Sequence, residues 1–280
     1  LAAFTQALTD ALTKRYFGSA SPYAMALTRL VYALPWLLLS FFFIPWATPD
    51  RYYFLTVASA APLEILAMYA YMKAIKVSPL SLTLPFLAFT PSFVILSGWV
   101  VLGEKLRVSG IVGIFLTVIG SYCLHLSSIR KGLLAPIRAV LKEPGSRLML
   151  LVSFLYSVTS VLGKVGIRHT NPYFFGSTYF IFLSLLLCAY LPFRPENRDG
   201  LSFRPSAPGM VVGITFSVMI FSHMLAISQV EAAYMISLKR TSLLFGILFG
   251  AWWFKEVRIA ERLLGALIML VGVTLIGLSH

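Results

Sequence analysis

Apolar residues run in blocks of about 20 along this chain, separated by short clusters of proline, glycine and charge. A block of that length crosses the hydrocarbon core of a bilayer as a helix, whereas membrane strands would alternate apolar and polar positions over about ten residues. The pattern predicts an all-α integral membrane protein of ten transmembrane helices. Their approximate positions are 1–16 (cut short), 22–45, 51–75, 79–102, 107–127, 147–167, 172–192, 207–229, 231–254 and 258–279. The first block is brief for a span and lacks the basic start and small-residue cleavage site of a signal peptide; it reads as a first helix whose opening residues are trimmed. Most connections are short, which makes consecutive helices antiparallel neighbours.

Two connections are longer, 128–146 and 193–206. The first, SIRKGLLAPIRAVLKEPGS, is basic and amphipathic and separates a first unit, 1–127, from a second, 147–280. The units resemble each other. LTKRYFGSASPY (12–23) aligns with LGKVGIRHTNPY (162–173), matching Lys14 with Lys164 and Pro22-Tyr23 with Pro172-Tyr173. VLGEKLRVSGIVGIFLTVIG (101–120) aligns with WFKEVRIAERLLGALIMLVG (253–272), matching Glu104 with Glu256, Gly113 with Gly265 and Gly120 with Gly272. A five-span unit inserts its second copy upside down. Two five-helix inverted-topology repeats are the architecture of many secondary transporters, whose substrate site lies at mid-membrane between the repeats.

Composition agrees with the membrane reading. The 280 residues are 59% hydrophobic and 12% charged, with mean hydropathy +0.85, where a soluble chain would carry about a quarter charged residues. A net charge of +13 would suggest nucleic acid in a soluble domain, but here the basic residues gather at the ends of apolar blocks, against headgroups. Nucleic acid is therefore not an expected partner; the bilayer and a small molecule are. The face bearing the central connection carries about three times the basic charge of the face bearing the termini, which by the positive-inside rule puts that connection in the cytoplasm. Cys123 and Cys188 read as small core residues without metal spacing. There is no GxxxxGK[ST] loop, no HExxH and no carboxylate pair at metal spacing, so no cofactor, metal or enzymatic activity is expected.

Charges deep in an apolar helix cost several kcal/mol and mark sites or buried pairs. The intramembrane set is Gln6, Asp10, Arg29, Glu64, His223, Lys239 and Arg240. Asp10 and Lys14, one turn apart, are an expected local pair. Arg29 reads equally as a snorkelling side chain or a buried ion-pair member. Lys239 sits about 13 Å into its span, on the helical face of Ser242, Gly246 and Gly250, a small-residue face that turns towards other helices or a cavity. Arg240, about 100° round, either joins it or braces a neighbouring helix. Glu64, after Pro62, is the expected counter-charge and a candidate proton carrier. His223 reads as a second proton-carrier candidate or, more simply, a packing histidine. Pro85 and Pro91 should loosen the fourth span.

Ten spans in two units, each closing with a Gly-Glu or Lys-Glu turn and a glycine-spaced last helix, resemble the EamA branch of the drug/metabolite transporter superfamily. SPLSLTLPFLAFTPSFVILSGWVVLGEKL (78–106) is similar to the fourth helix and turn of that family. The resemblance implies a transporter of small metabolites. LKR (238–240) and LGK (162–164) also resemble the phosphate translocators of the same superfamily, where such residues hold an anionic group. That likeness implies an anion site formed by Lys164, Lys239 and Arg240.

The expected function is thus secondary transport, by alternating access, of a small anionic or zwitterionic organic metabolite such as an amino acid or organic acid. Its expected substrate-binding residues are Lys239, Arg240, Lys164, Glu64 and His223. The setting is a bacterial inner membrane, with protons as the candidate coupling ion and the protein a monomer or homodimer. The alternatives are a proton-coupled exporter of cationic or amphipathic drugs acting through Glu64, and a channel or membrane scaffold.

Overall fold

The computed structural model describes residues 1–94, 108–131, 135–191, 206–230 and 232–278. Glu104, Lys105 and Arg107, together with most of the 193–206 connection, lie outside them. Every regular element among the described residues is helical. In chain order these are α1 (Ala2–Phe17), α2 (Pro22–Ser40), α3 (Arg51–Val77) and α4 (Leu80–Thr83), which tightens into a 3-10 segment, Leu84–Ala88, with helical backbone continuing to 94. Then come α5 (Val108–Cys123), a 3-10 segment (Leu126–Lys131), α6 (Ala135–Lys142), α7 (Pro144–Arg168), α8 (Pro172–Tyr190) and α9 (Ala207–Gln229). α10 (Ala232–Lys239), α11 (Ser242–Phe254) and α12 (Ile259–Gly277) complete the chain. Among the described residues six helices (α2, α3, α7, α8, α9 and α12) are long and apolar enough to span a membrane; Leu80–Val94 and Val108–Cys123 are shorter apolar helices.

Helix starts follow local chemistry. Ser21 before Pro22 accepts from the Ala24 N–H at 3.1 Å, and Asn171 before Pro172 accepts from the Phe174 N–H at 2.8 Å. In both, proline at the first helical position has no donor to lose, and the preceding polar side chain satisfies one orphan donor. Asp50 and Ser206 cap α3 and α9 in the same way.

Two apolar segments are interrupted near their middles. In the fourth, Pro85 falls within the 3-10 segment, and the Phe86 carbonyl there accepts from Ser153 Oγ of α7 at 2.7 Å. A side chain from a neighbouring helix thus satisfies backbone that has left the regular ladder. The ninth, expected as one helix over 231–254, divides at Arg240 and Thr241. There the backbone tightens to i−3 bonds, Arg240 N–H to Ser237 O at 3.1 Å and Thr241 N–H to Leu238 O at 3.1 Å. No proline or glycine causes this. Thr241 Oγ1 bonds the Leu238 carbonyl at 2.9 Å, the local side-chain competition by which Thr bends helices.

α5 and α12 pack antiparallel through glycine. A Cβ added at Gly113 would lie 2.5 Å from the Gly272 carbonyl oxygen, and one at Gly120 would lie 2.6 Å from that of Gly265. Only glycine lets the two backbones approach so closely, the small-residue contact typical of membrane helices. The stripe Ser242, Gly246 and Gly250 of α11 is likewise spent on packing: Gly246 lies against Leu84, and Gly250 against Glu256 and Ser81.

One end of the bundle gathers a polar knot around the α3–α4 turn. Lys14 Nζ donates to the Ser78 carbonyl at 2.6 Å, so the expected Lys14–Asp10 pair does not form. Glu256 accepts from the Leu80 N–H at 2.8 Å, the Ser81 N–H at 3.0 Å and the Ser81 hydroxyl, and pairs with Arg262 at 3.1 Å. A carboxylate from the α11–α12 connection therefore caps the N-terminus of α4, where helix polarity favours negative charge. Glu143 adds a bond from Ser78 Oγ. Burial pushes its carboxyl up, but that bond and those from Ser146 and the Gly145 N–H outweigh burial and hold it below its ordinary range. At the opposite end Asp50 meets His169 at 2.8 Å.

Candidate functional site

Helical spacing gathers a set of side chains into one cavity. α3 contributes Glu64, Met68, Tyr71 and Met72, at i, i+4, i+7 and i+8. α7 contributes Tyr156, Thr159, Ser160 and Gly163 on the same rule, and α9 a stripe from Phe216 through Met219, His223 and Met224. α8 supplies Phe175, Tyr179 and Phe180. Gln6 enters from α1, Arg29 from α2, Leu87 from the fourth-segment break, and Ile236, Lys239 and Arg240 from the α10–α11 break. The cavity volume is about 100 Å³. A space of that size with polar walls takes several waters or a small organic body.

The charges divide into two groups. Asp10 and Arg29 form a buried ion pair at 2.8 Å. Asp10 also accepts from Tyr71 Oη at 2.6 Å and from Gln6 Nε2 at 3.2 Å, and Arg29 Nε donates to Thr13 Oγ1 at 2.8 Å. This pair is satisfied from several sides, the condition under which a buried pair is tolerated. Arg29 therefore does not snorkel, and Asp10 is not free to serve a second cation.

Lys239 and Arg240 are served far less well. Lys239 Nζ donates to the Met219 thioether at 3.4 Å, and sulfur is a weak acceptor. Arg240 is 6% exposed, and its Nε has no hydrogen-bond partner; nor do His223 Nδ1 and Tyr179 Oη. Glu64 lines the cavity with Thr159 and stands within electrostatic reach of Lys239. Orphaned buried donors normally cost about 1–3 kcal/mol each, and more when charged. Here they converge on one space, which is the arrangement expected of a site that awaits an acceptor.

A model of the EamA-like transporter family matches residues 1–126 and again 144–278. The chain belongs to the EamA-like transporter family. It is accordingly a membrane transporter with apolar helices set in a lipid bilayer, from a family of transporters rather than enzymes. A solved crystal structure, described only as that of a protein, superposes on this EamA-like chain with a TM-score of 0.64 at 13% identity, over 99% of this chain and 96% of its own. That likeness establishes shared fold alone. No curated protein sequence matches.

Of the residues expected to form a site in this EamA-like transporter, four meet in the cavity: Lys239, Arg240, Glu64 and His223. Both members of the Lys-Arg pair line it, at the point where the ninth segment divides. Lys164 does not join them. Its ammonium donates to the Val230 carbonyl at 2.8 Å in a separate, exposed depression with Arg168, Ser228 and Gln229. Tyr71, Tyr156, Tyr179, Thr159 and Ser160 escaped sequence reasoning. The signal was present for α7, where Tyr156, Thr159, Ser160 and Gly163 form a polar and small stripe at helical spacing within an otherwise apolar block.

Proposed function

We propose that this chain is a secondary transporter that moves a small organic anion, or a zwitterion held by its carboxylate, through the cavity at Lys239 and Arg240 by alternating access. The observation that carries the reading is the pair of incompletely bonded cations at a helix break, Arg240 buried and Lys239 half-buried, beside one available carboxylate among the described residues. Helix breaks at mid-membrane are where transporters bind polar cargo. An exporter of cations would want the reverse charge balance, so the geometry favours an anion over a cationic drug.

Ten spans arranged as two inverted repeats, 1–127 and 147–280 joined by 128–146, fit several contacts. Under the offset that aligns Glu104 with Glu256, the two segment interruptions coincide, with Leu87 in one at the position of Lys239 in the other. The glycine contacts are reciprocal, Gly113 with Gly272 and Gly120 with Gly265, as a two-fold relation requires. The lysines agree as well. Lys14 donates to the carbonyl of Ser78, the residue ending α3, and its counterpart Lys164 donates to the carbonyl of Val230, the residue ending α9.

In this reading Lys14 and Lys164 are latches at opposite ends of the bundle. With both made the carrier is occluded, and releasing either opens one side. Ionic hydrogen bonds contribute about 1.5–3 kcal/mol, so losing one shifts a two-state equilibrium by roughly tenfold or more. A cysteine introduced as S160C in a background with Cys123→Ser and Cys188→Ser reports this from each side of a vesicle with an impermeant thiol reagent. Lys14→Gln should raise labelling from the central-connection side, and Lys164→Gln labelling from the other. Identical effects of the two changes would refute the latch assignment. The function itself is tested by uptake of labelled organic acids into proteoliposomes: saturable uptake supports it, and its absence across a panel of anions refutes it.

A further inference from the structure

Three cations and two carboxylates, among the described residues, line or contact the cavity: Arg29, Lys239 and Arg240 against Asp10 and Glu64. Asp10 and Arg29 neutralise each other at 2.8 Å. With His223 neutral, as an imidazole ordinarily is at pH 7, the remaining balance is two cations to one carboxylate. Counted by formal charge, the described lining thus carries one positive charge in excess, in a setting where water cannot screen it well. Much of the rest of the wall is apolar, including the rings of Phe175, Phe180 and Phe216 and the thioethers of Met68 and Met224. These walls offer a cargo dispersion contacts and, at about 100 Å³, room for a body of about one ring.

We propose that the cavity selects organic carboxylates of net charge −1 with a compact apolar or aromatic body, and that Glu64 is the residue that sets this charge selectivity. The inference rests on the anion-carrier reading and narrows it. A monoanion brings the site to neutrality. A dianion would place surplus negative charge beside Glu64, and a zwitterion would leave the positive charge uncompensated. Discrimination of this kind works by building repulsion against the wrong partner as well as attraction for the right one. Glu64 lines the cavity near Lys239, while Arg29 is engaged with Asp10, so Glu64 is placed to supply that repulsion.

Three ligands of nearly one shape separate the cases. 3-Phenyllactate, phenylalanine and benzylmalonate carry a hydroxyl, an ammonium or a second carboxylate, respectively, on the carbon next to the carboxylate. Affinities for the purified full chain are measured by titration calorimetry. 3-Phenyllactate is expected to bind wild type at least about tenfold more tightly than either of the others. Glu64→Gln should remove most of the penalty on benzylmalonate, whereas Glu64→Asp should preserve it. Equal or tighter binding of benzylmalonate or phenylalanine to wild type overturns the proposal, as does an unchanged ratio in a folded Glu64→Gln variant. If one of those two ligands is preferred and Lys239→Met abolishes its binding, the anion-carrier reading stands and only the charge selectivity falls. If no ligand binds, both fall. The wild-type order alone decides the matter should the variants fail to fold.

Discussion

Replacing Lys239 with methionine is expected to abolish uptake of organic anions while raising the melting temperature of the empty protein. The two effects have one cause. A half-buried ammonium whose hydrogen bond goes to a thioether incurs a desolvation cost and recovers little of it. Methionine keeps the volume and flexibility of the stem among Met219, Ile236 and the ring side chains of the cavity while removing the charge. Because Arg240 remains to face Glu64, removing the surplus ammonium should raise the melting temperature, by about 2–4 °C for each kcal/mol recovered in a chain of this size. A structural lysine would behave in the opposite way, its loss lowering stability and leaving transport in the surviving protein intact. Uptake measured beside thermal unfolding in the same detergent separates the two cases.

Asp10→Asn is expected to be the most destabilising single change among the cavity residues. It leaves Arg29, 3% exposed, as a charge without its partner, and it weakens the bonds from Tyr71 and Gln6. Breaking a buried pair from one side typically costs about 3–5 kcal/mol, whereas removing both charges costs much less. The double change Asp10→Asn with Arg29→Met should therefore melt above Asp10→Asn alone. Additive losses in the double variant would mean that the two residues do not act as a pair.

Much of this architecture is legible in the chain before any coordinates. The Ser21-Pro22 and Asn171-Pro172 starts follow from capping chemistry, whereas the bonds of Lys14 to Ser78 and of Lys164 to Val230 are not expected from the sequence. The errors arise where a local rule meets a longer-range partner. Asp10 lies one turn from Lys14, yet it binds Arg29 from the next helix, because a guanidinium with Thr13 beside it satisfies a buried carboxylate more fully. The ninth segment contains no proline or glycine near residue 240, so helical rotation carried Lys239 onto the face of Gly246 and Gly250. In the structure the glycines pack on the Leu84 and Ser81 region, whereas both charges line the cavity. Lys164 was drawn to the site by a likeness in sequence, and only the fold puts its ammonium on the Val230 carbonyl instead.

The most direct test of the carrier reading is counterflow. Proteoliposomes preloaded with unlabelled 3-phenyllactate are diluted into a trace of the labelled compound, and the transient accumulation of label is followed in wild type and Lys239→Met. A carrier that alternates one anion site between two sides predicts a clear overshoot in wild type and none in the variant. Label that equilibrates without overshoot, or an overshoot that survives the loss of Lys239, would contradict the account.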